Sequence, residues 1–140
     1  VSAASVALRV EGGDAPRPWL HTGDLARIDA AGVTLLGRKK DMIVRRAVNL
    51  YPGVLEPLLE EDFKEAVLVG LWDEAAADER VIAVVVGDKE PDWRKLLGDA
   101  APDGVARVEA LPRSGRQHKV DKAALREALA QGSLPIRWLW

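Results

Sequence analysis

The stretch that decides the fold is Ala66-Val-Leu-Val-Gly-Leu-Trp72, which has no charged residue in a chain that is 30% charged. A second uncharged run, Val81-Ile-Ala-Val-Val-Val86, follows after the polar segment Asp73–Arg80. Continuous apolar runs of strand length are typical of strands that are covered on both faces. The two runs therefore predict the centre of a sheet with packing on either side.

A helix is predicted just before the first run. Apolar residues recur at helical spacing between Val54 and Leu59, which indicates one apolar helix face. Either Pro52 or Pro57 could open this helix at its first turn. Proline deep inside a helix would cost about 3 kcal/mol, so the start is placed near Glu56.

The residues after the second run complete a small α+β pattern. Asp92–Leu97 has helical spacing, Val105–Ala110 reads as a strand, and Asp121 is placed to cap a last helix that Gly132 closes. The order of elements predicts a mainly three-stranded sheet packed by helices. The apolar end, Leu134–Trp140, is expected to cover this sheet, with a preceding domain or a second chain as alternatives.

The first 37 residues predict β-hairpins without a core of their own. Ser5–Val10 reads as a strand that ends in the turn-rich segment Glu11–Pro18. His21–Asp24 is expected to be a tight loop, Leu25–Ile28 an edge strand, and Val33–Leu36 the returning arm of a hairpin.

Composition excludes several classes of function. The 140 residues suffice for one ordinary domain, or for a small domain with part of another. Twenty basic and twenty-two acidic residues give a net charge of -2, which argues against nucleic acid or an anionic membrane as partner.

There is no cysteine, and His21 and His118 are far apart, so no metal site is predicted. No apolar run reaches the roughly 18–20 residues of a transmembrane helix, and no signal peptide is evident.

Two polar positions in the hairpin region could bind a nucleotide. A carboxylate on a rigid turn, such as Asp24, could accept hydrogen bonds from the vicinal hydroxyls of a ribose. Its alternative is a turn residue that caps its own backbone. Arg38 could present the paired donors of its guanidinium group to a ribose or phosphate. Alternatively, it is a solvent-exposed charge on a hairpin.

A third polar segment, Leu111–Arg126, places Lys119 in a Gly- and Arg-rich loop just before the last helix. A lysine on such a loop can reach an anion as a mobile point charge, and the alternative is an ordinary surface lysine.

Four motifs in order carry a family resemblance. They are His21-Thr-Gly-Asp24 followed by Leu, Gly37-Arg-Lys-Lys-Asp-Met-Ile43, Asn49-Leu-Tyr-Pro52, and Leu111-Pro-Arg-Ser-Gly with Lys-Val-Asp-x-x-Ala-Leu-Arg126. Together they resemble the adenylate-forming superfamily, which includes acyl- and aryl-CoA synthetases, fatty-acyl-AMP ligases, luciferases and peptide-synthetase adenylation domains. The resemblance covers the chain from about Trp19 to Arg126.

The resemblance implies a cytoplasmic ligase of fatty acid metabolism that converts a fatty or aryl acid and ATP into acyl-AMP and then an acyl thioester. It assigns Asp24 to the ribose hydroxyls, Arg38 to the ribose or phosphate, and Lys119 to the carboxylate and α-phosphate. Lys40 corresponds to the hinge. The implied cofactors are ATP/AMP and Mg²⁺, with CoA or the pantetheine of a carrier protein as acceptor.

The resemblance also divides the chain. Residues 1–37 would end a large N-terminal AMP-binding domain, 38–41 would form the hinge, and 42–140 would be a small C-terminal lid domain. Because the chain begins without methionine and lacks a Gly-rich phosphate loop, we expect a fragment whose main partner is its own N-terminal domain. The fragment alone is expected to be inactive.

Two sites, three positions in all, depart from the family pattern. His118 stands where a glycine usually precedes the lysine, after about one extra residue, and Lys122 is the less favoured alternative for the catalytic lysine. Arg46 and Ala47 replace a Gly-Gly or Ser-Gly pair that lines the thiol tunnel. Arg46 would either obstruct the pantetheine arm or offer its charge to a different acceptor.

Two other functions compete with the ligase hypothesis. The first is a stand-alone, non-catalytic module of the same fold with a binding or regulatory role. The second is a nucleic-acid binder that uses Arg38–Arg46, which the neutral net charge and the lack of interleaved aromatic residues disfavour.

Overall fold

The computed structural model of the chain describes residues 3–8 and 20–140, with side chains from Thr22 onwards. Its strands are β1 (Ala3–Leu8), β2 (Leu20–Asp29), β3 (Gly32–Arg38), β4 (Ile43–Arg45), β5 (Val48–Leu50), β6 (Glu65–Asp73), β7 (Asp78–Val86), β8 (Gly104–Arg107), β9 (Arg113–Ser114), β10 (Lys119–Val120) and β11 (Arg137–Trp138). Its helices are α1 (Pro52–Leu55), α2 (Trp93–Leu97) and α3 (Lys122–Ala130), with short 3-10 helices at Lys39–Asp41, Glu56–Leu59 and Gly98–Ala100.

The central sheet has the strand order β11-β8-β7-β6. β6 and β7 form an antiparallel hairpin, β7 and β8 run parallel, and β11 pairs antiparallel with β8. The two uncharged runs of the sequence lie in β6 and β7. The expected central position holds for β7, whereas β6 forms an edge of the sheet. The predicted α+β class is confirmed, and β11 adds a fourth strand to the expected three.

Both faces of β7 are buried, as the continuous apolar run predicts. Val81, Ala83 and Val85 face a cluster that includes Phe63 and Trp93. Alternate residues of β7 face a second cluster, which α3 closes from the other side. The core therefore consists of two apolar layers that share one sheet.

The first helix begins earlier than the sequence suggests. α1 begins at Pro52, where the missing N–H of proline is tolerated, and it ends at Leu55. Pro57 then lies in the first turn of a separate 3-10 helix, so the chain restarts its helix rather than placing proline inside it. The predicted start near Glu56 was wrong for the α-helix and right for the 3-10 helix.

The helix caps of α2 and α3 agree with the sequence. The carboxylate of Asp92 accepts a hydrogen bond from the backbone N–H of Lys95, and that of Asp121 accepts one from Ala124. Past the end of α3, Gly132 has a φ of +77° and donates its N–H to the carbonyl of Leu129.

The hairpin region forms a three-stranded sheet in the order β1-β2-β3. The expected tight loop at His21–Asp24 and the expected edge strand at Leu25–Ile28 were wrong, because both lie in β2, the middle strand. The chain keeps a loop-like feature there, since Thr22–Asp24 bulge out between two paired positions and Gly23 has a φ of +80°. The predicted turn at residues 11–18 lies outside the described residues.

The three-stranded sheet contacts α1 where two glycines meet. A Cβ on Gly53 would lie 2.7 Å from the carbonyl oxygen of Leu36, and Gly37 faces the same point from β3. Leu36 itself is buried. Ile28 and Leu35, on the free arms of the β2–β3 hairpin, are more than 60% exposed.

The hairpin of β4 and β5 is attached to the central sheet by three carboxylates. Arg45 is 7% exposed and its guanidinium Nη1 lies 3.0 Å from a carboxylate oxygen of Asp103, which is 2% exposed. The carboxylates of Asp78 and Glu79 accept hydrogen bonds from the backbone N–H groups of Arg46 and Val44. A buried ion pair needs such additional hydrogen bonds, and Arg45 also donates to the carbonyls of Asp99 and Ala101.

The apolar C-terminal segment covers the chain's own sheet, as expected. β11 pairs with β8, Leu134 and Ile136 pack on the cluster beneath α3, and Leu139 packs on the opposite cluster. Among the described residues, no helix has the length and apolar character needed to cross a membrane.

Candidate functional site

A cleft of about 410 Å³ collects basic side chains from two separate parts of the chain. We call it the cationic cleft. Five basic residues line it, together with Asp41 and Asp121: Arg38, Lys40, Lys119, Lys122 and Arg126. Since cations outnumber carboxylates in the lining, the cleft favours an anionic ligand.

Asp24 and Arg38 meet at the edge of this cleft. They are direct partners across β2 and β3, and a guanidinium nitrogen of Arg38 lies 3.2 Å from a carboxylate oxygen of Asp24. Gly23 permits this arrangement, because a Cβ there would lie 3.2 Å from Nη2 of Arg38. Both side chains remain partly exposed, so each keeps hydrogen-bonding capacity for a ligand.

Lys119 lies on β10, in a short hairpin with β9, and its side chain is exposed. Within the described part of the chain, no carboxylate pairs with its ammonium group. His118 precedes it with a φ of +50°, the conformation that a glycine would adopt without strain.

Lys122 is engaged elsewhere. Its ammonium group lies 2.6 Å from a carboxylate oxygen of Glu56, and both side chains are less than 20% exposed. Burial raises the pKa of Glu56, and the charge and hydrogen bond of Lys122 oppose that shift. A lysine held in this way is not free to reach a ligand. Lys119 is therefore the better candidate for the lysine that contacts an anionic ligand.

Lys40 lies in the 3-10 helix that connects β3 to the rest of the chain, and it is exposed. Its neighbour Asp41 is 3.7 Å from a guanidinium nitrogen of Arg126 on α3. The segment 38–41 therefore lies between the hairpin region and α3, at the mouth of the cationic cleft.

Arg46 and Ala47 do not line the cationic cleft. They form the two-residue turn of the β4–β5 hairpin, with φ of +51° and +61°. Arg46 lines a different cavity of about 450 Å³, together with Arg94 and Trp140. The guanidinium of Arg94 lies 4.8 Å from the centre of the Trp140 ring, a cation–π contact.

Several residues that organise the site were missed in the sequence. Glu56 and Glu65 pair with Lys122 and Arg113, which are more than 45 positions away along the chain. Such pairs leave no local pattern, so only the folded chain reveals them.

Comparison with known proteins identifies the family. No protein-family model matches the chain. The medium/long-chain-fatty-acid–CoA ligase FadD8 of Mycobacterium tuberculosis is 34% identical over 134 residues, which cover 82% of this chain and 23% of FadD8. The chain belongs to the adenylate-forming superfamily. Its motifs fit the C-terminal region of such an enzyme, and it spans about a quarter of the length of this relative.

Solved structures of the superfamily show the same fold. ATP-bound MatB from Rhodopseudomonas palustris is 33% identical, with a TM-score of 0.65 over 79% of this chain and 24% of MatB. The anthranilate CoA ligase AuaEII, in complex with anthranoyl-AMP, covers 94% of this chain and 31% of its own, with a TM-score of 0.73. At 22% identity, the likeness to AuaEII shows the fold alone.

Proposed function

We propose that this chain is the C-terminal part of an ATP-dependent fatty or aryl acid ligase that forms acyl-AMP and then an acyl thioester. The observation that carries the proposal is the cationic cleft, in which Arg38 and Lys119 come together from opposite ends of the sequence. A fatty-acid–CoA ligase as relative and an ATP-bound structure as neighbour support the same conclusion.

In this proposal the carboxylate oxygen of the acid attacks the α-phosphorus of ATP, and pyrophosphate leaves. Both reactants are anionic, so a positioned cation stabilises the charge that develops between them. Lys119 supplies that cation, Asp24 accepts hydrogen bonds from the ribose hydroxyls, and Arg38 donates to the ribose or phosphate. The unpaired ammonium of Lys119 and the pairing of Arg38 with Asp24 support these roles.

The residues described here do not supply a magnesium site. No group of three or more His, Asp or Glu side chains in residues 22–140 is placed to hold a metal ion. If Mg²⁺ accompanies ATP, it would bind through the phosphates and through residues outside this part of the chain.

We further propose the division of the chain into residues 1–37 of a large AMP-binding domain, a hinge at 38–41 around Lys40, and a lid domain at 42–140. Removal of the lid after the first step would withdraw Lys119 from the adenylate. The thiol of CoA or of a carrier protein's pantetheine would then attack the acyl carbon of acyl-AMP near Arg46 and Ala47, and AMP would leave. Without the large domain, the 140 residues would not complete a turnover.

The test replaces Lys119 with alanine in the whole enzyme and measures ATP–pyrophosphate exchange with candidate fatty and aryl acids. Loss of one electrostatic contact to the transition state is expected to lower exchange by roughly 10²–10³-fold. Lys95→Ala is the matched control, because Lys95 is an exposed lysine on α2 that does not line the cleft.

Unchanged exchange in Lys119→Ala would contradict the proposed role of this lysine. A whole protein that binds AMP but never exchanges pyrophosphate with any acid would instead favour the non-catalytic module.

A further inference from the structure

One arginine links the turn of the hairpin that carries Lys119 to the central sheet. In this hairpin Arg113 is opposite Val120, and Ser114 is opposite Lys119. Nη1 of Arg113 donates a hydrogen bond of 3.0 Å to the carbonyl oxygen of His118. Its other terminal nitrogen, Nη2, pairs with the carboxylate of Glu65, the first residue of β6. One guanidinium thus connects the residue before Lys119 to the sheet.

The backbone of His118 needs such support. Its φ of +50° lies in the left-handed region, which a residue with a Cβ adopts only when its surroundings hold it there. The backbone N–H of His118 makes only a 3.3 Å contact with the carbonyl of Gly115. The hydrogen bond from Arg113 to the carbonyl of His118 is shorter, at 3.0 Å.

The far end of the hairpin is fixed as well. The N–H of Asp121 donates to the carbonyl of Pro112 at 2.8 Å, and Lys122 pairs with Glu56. The backbone on either side of Lys119 is therefore attached, while its own side chain stays free to enter the cationic cleft. Of these attachments, the Arg113 bond is the side-chain contact nearest to Lys119.

We propose that Arg113 is a positioning residue, which holds the backbone at His118 so that Lys119 points into the cationic cleft. This inference rests on the proposed function of Lys119. An ion pair between two side chains that are 40% and 30% exposed would contribute little by itself. The planar fork of arginine matters because one group serves both the carbonyl of His118 and the carboxylate of Glu65, which a lysine ammonium cannot do in the same geometry.

The first experiment measures ATP–pyrophosphate exchange by the whole enzyme. Arg113→Ala is expected to lower kcat about tenfold or more, with a change of less than about twofold in KM for ATP, since a misplaced catalytic group slows the reaction step. Arg113→Lys should stay low, because it keeps the charge and loses the fork. Arg116→Ala is the matched control, as Arg116 is exposed in the same loop and makes no ion pair with any described residue.

The decisive variant adds His118→Gly to Arg113→Ala. Glycine adopts a φ near +50° without strain, so the double variant should recover most of the lost kcat. A merely structural role of the Arg113–Glu65 pair would not be rescued by a change at His118. Equal activity of Arg113→Ala and Arg116→Ala, or a double variant no better than the single one, would overturn the proposal.

A second measurement separates this inference from the proposed function. Hydrogen exchange of residues 114–120 in the whole enzyme is expected to accelerate at least about tenfold in Arg113→Ala and to slow again with His118→Gly. Faster hydrogen exchange in Arg113→Ala would support the positioning role even if Lys119→Ala leaves pyrophosphate exchange intact. In that case only the proposed catalytic role of Lys119 would be wrong. Unaltered hydrogen exchange in Arg113→Ala would refute the positioning role itself.

Discussion

Three residues other than glycine have a left-handed backbone in the turns of the β4–β5 and β9–β10 hairpins. They are Arg46, Ala47 and His118, with φ of +51°, +61° and +50°. A side chain disfavours this conformation. At Arg46 the carboxylate of Asp78 binds the backbone N–H, and at His118 the guanidinium of Arg113 binds the carbonyl.

Ala47→Gly is expected to stabilise the chain by about 0.5–1 kcal/mol, because relief of the left-handed strain outweighs the extra freedom of glycine in the unfolded state. Chemical denaturation with urea measures the change. The same substitution at Ala123, an exposed residue of α3, should destabilise the chain by about 1 kcal/mol. A loss of stability at both positions would show that the turn bears no strain.

At the scale of elements, β11 is a two-residue strand that depends on side-chain contacts. Glu90 accepts hydrogen bonds from Arg107 on β8 and from Arg137 on β11, the latter at 2.5 Å. Partial desolvation works against ionisation of Glu90, but the two guanidinium groups outweigh it and hold its pKa below the ordinary value. The carboxylate thereby links the last strand to its neighbour.

The sign of this shift fixes the pH dependence. A carboxyl group whose pKa is lower in the folded chain stabilises the fold at pH values above its ordinary pKa of about 4.5. This contribution is lost as the pH falls through the lower pKa of the folded state. We expect Glu90→Gln to lower Tm slightly at pH 7, since Glu90 is about half exposed, and we expect this difference in Tm to shrink as the pH falls below about 4.5. A calorimetric difference that stays constant between pH 7 and pH 3 would rule out this role for Glu90.

At the scale of the whole molecule, the three-stranded sheet and α1 meet at backbone distance. Gly53 is in contact with Leu36 and Gly37, so there is no room for a side chain at this point. Leu36 is buried here, whereas Ile28 and Leu35 on the same hairpin stay exposed. The backbone contact at Gly53 is therefore a tight point in the packing between the hairpin region and the rest of the chain.

Gly53→Ala is expected to destabilise the chain by about 1–3 kcal/mol, because its Cβ would lie 2.7 Å from the carbonyl oxygen of Leu36 and the backbone must move. Amide exchange in β3, followed by NMR, should report the loosened contact. Val54→Ala is the control, since Val54 is 45% exposed beside it. If β3 exchanges at the same rate in both variants, the backbone contact is not tight.

Local patterns in the sequence determined much of this protein. The uncharged runs in β6 and β7, the caps at Asp92 and Asp121, and the motifs around Asp24 and Lys119 depend on neighbouring residues, so they could be recognised before the fold was known. The extent of α1 and the place of β2 in the middle of its sheet could not. Both follow from contacts with residues remote in sequence.

Tertiary structure alone decided which charges are free. Lys119 and Lys122 are three residues apart and look alike in the sequence, yet Glu56 holds Lys122 and leaves Lys119 available for the cationic cleft. The physical reason is that an ion pair depends on distance in space and on burial, and neither is encoded in the spacing of residues along the chain.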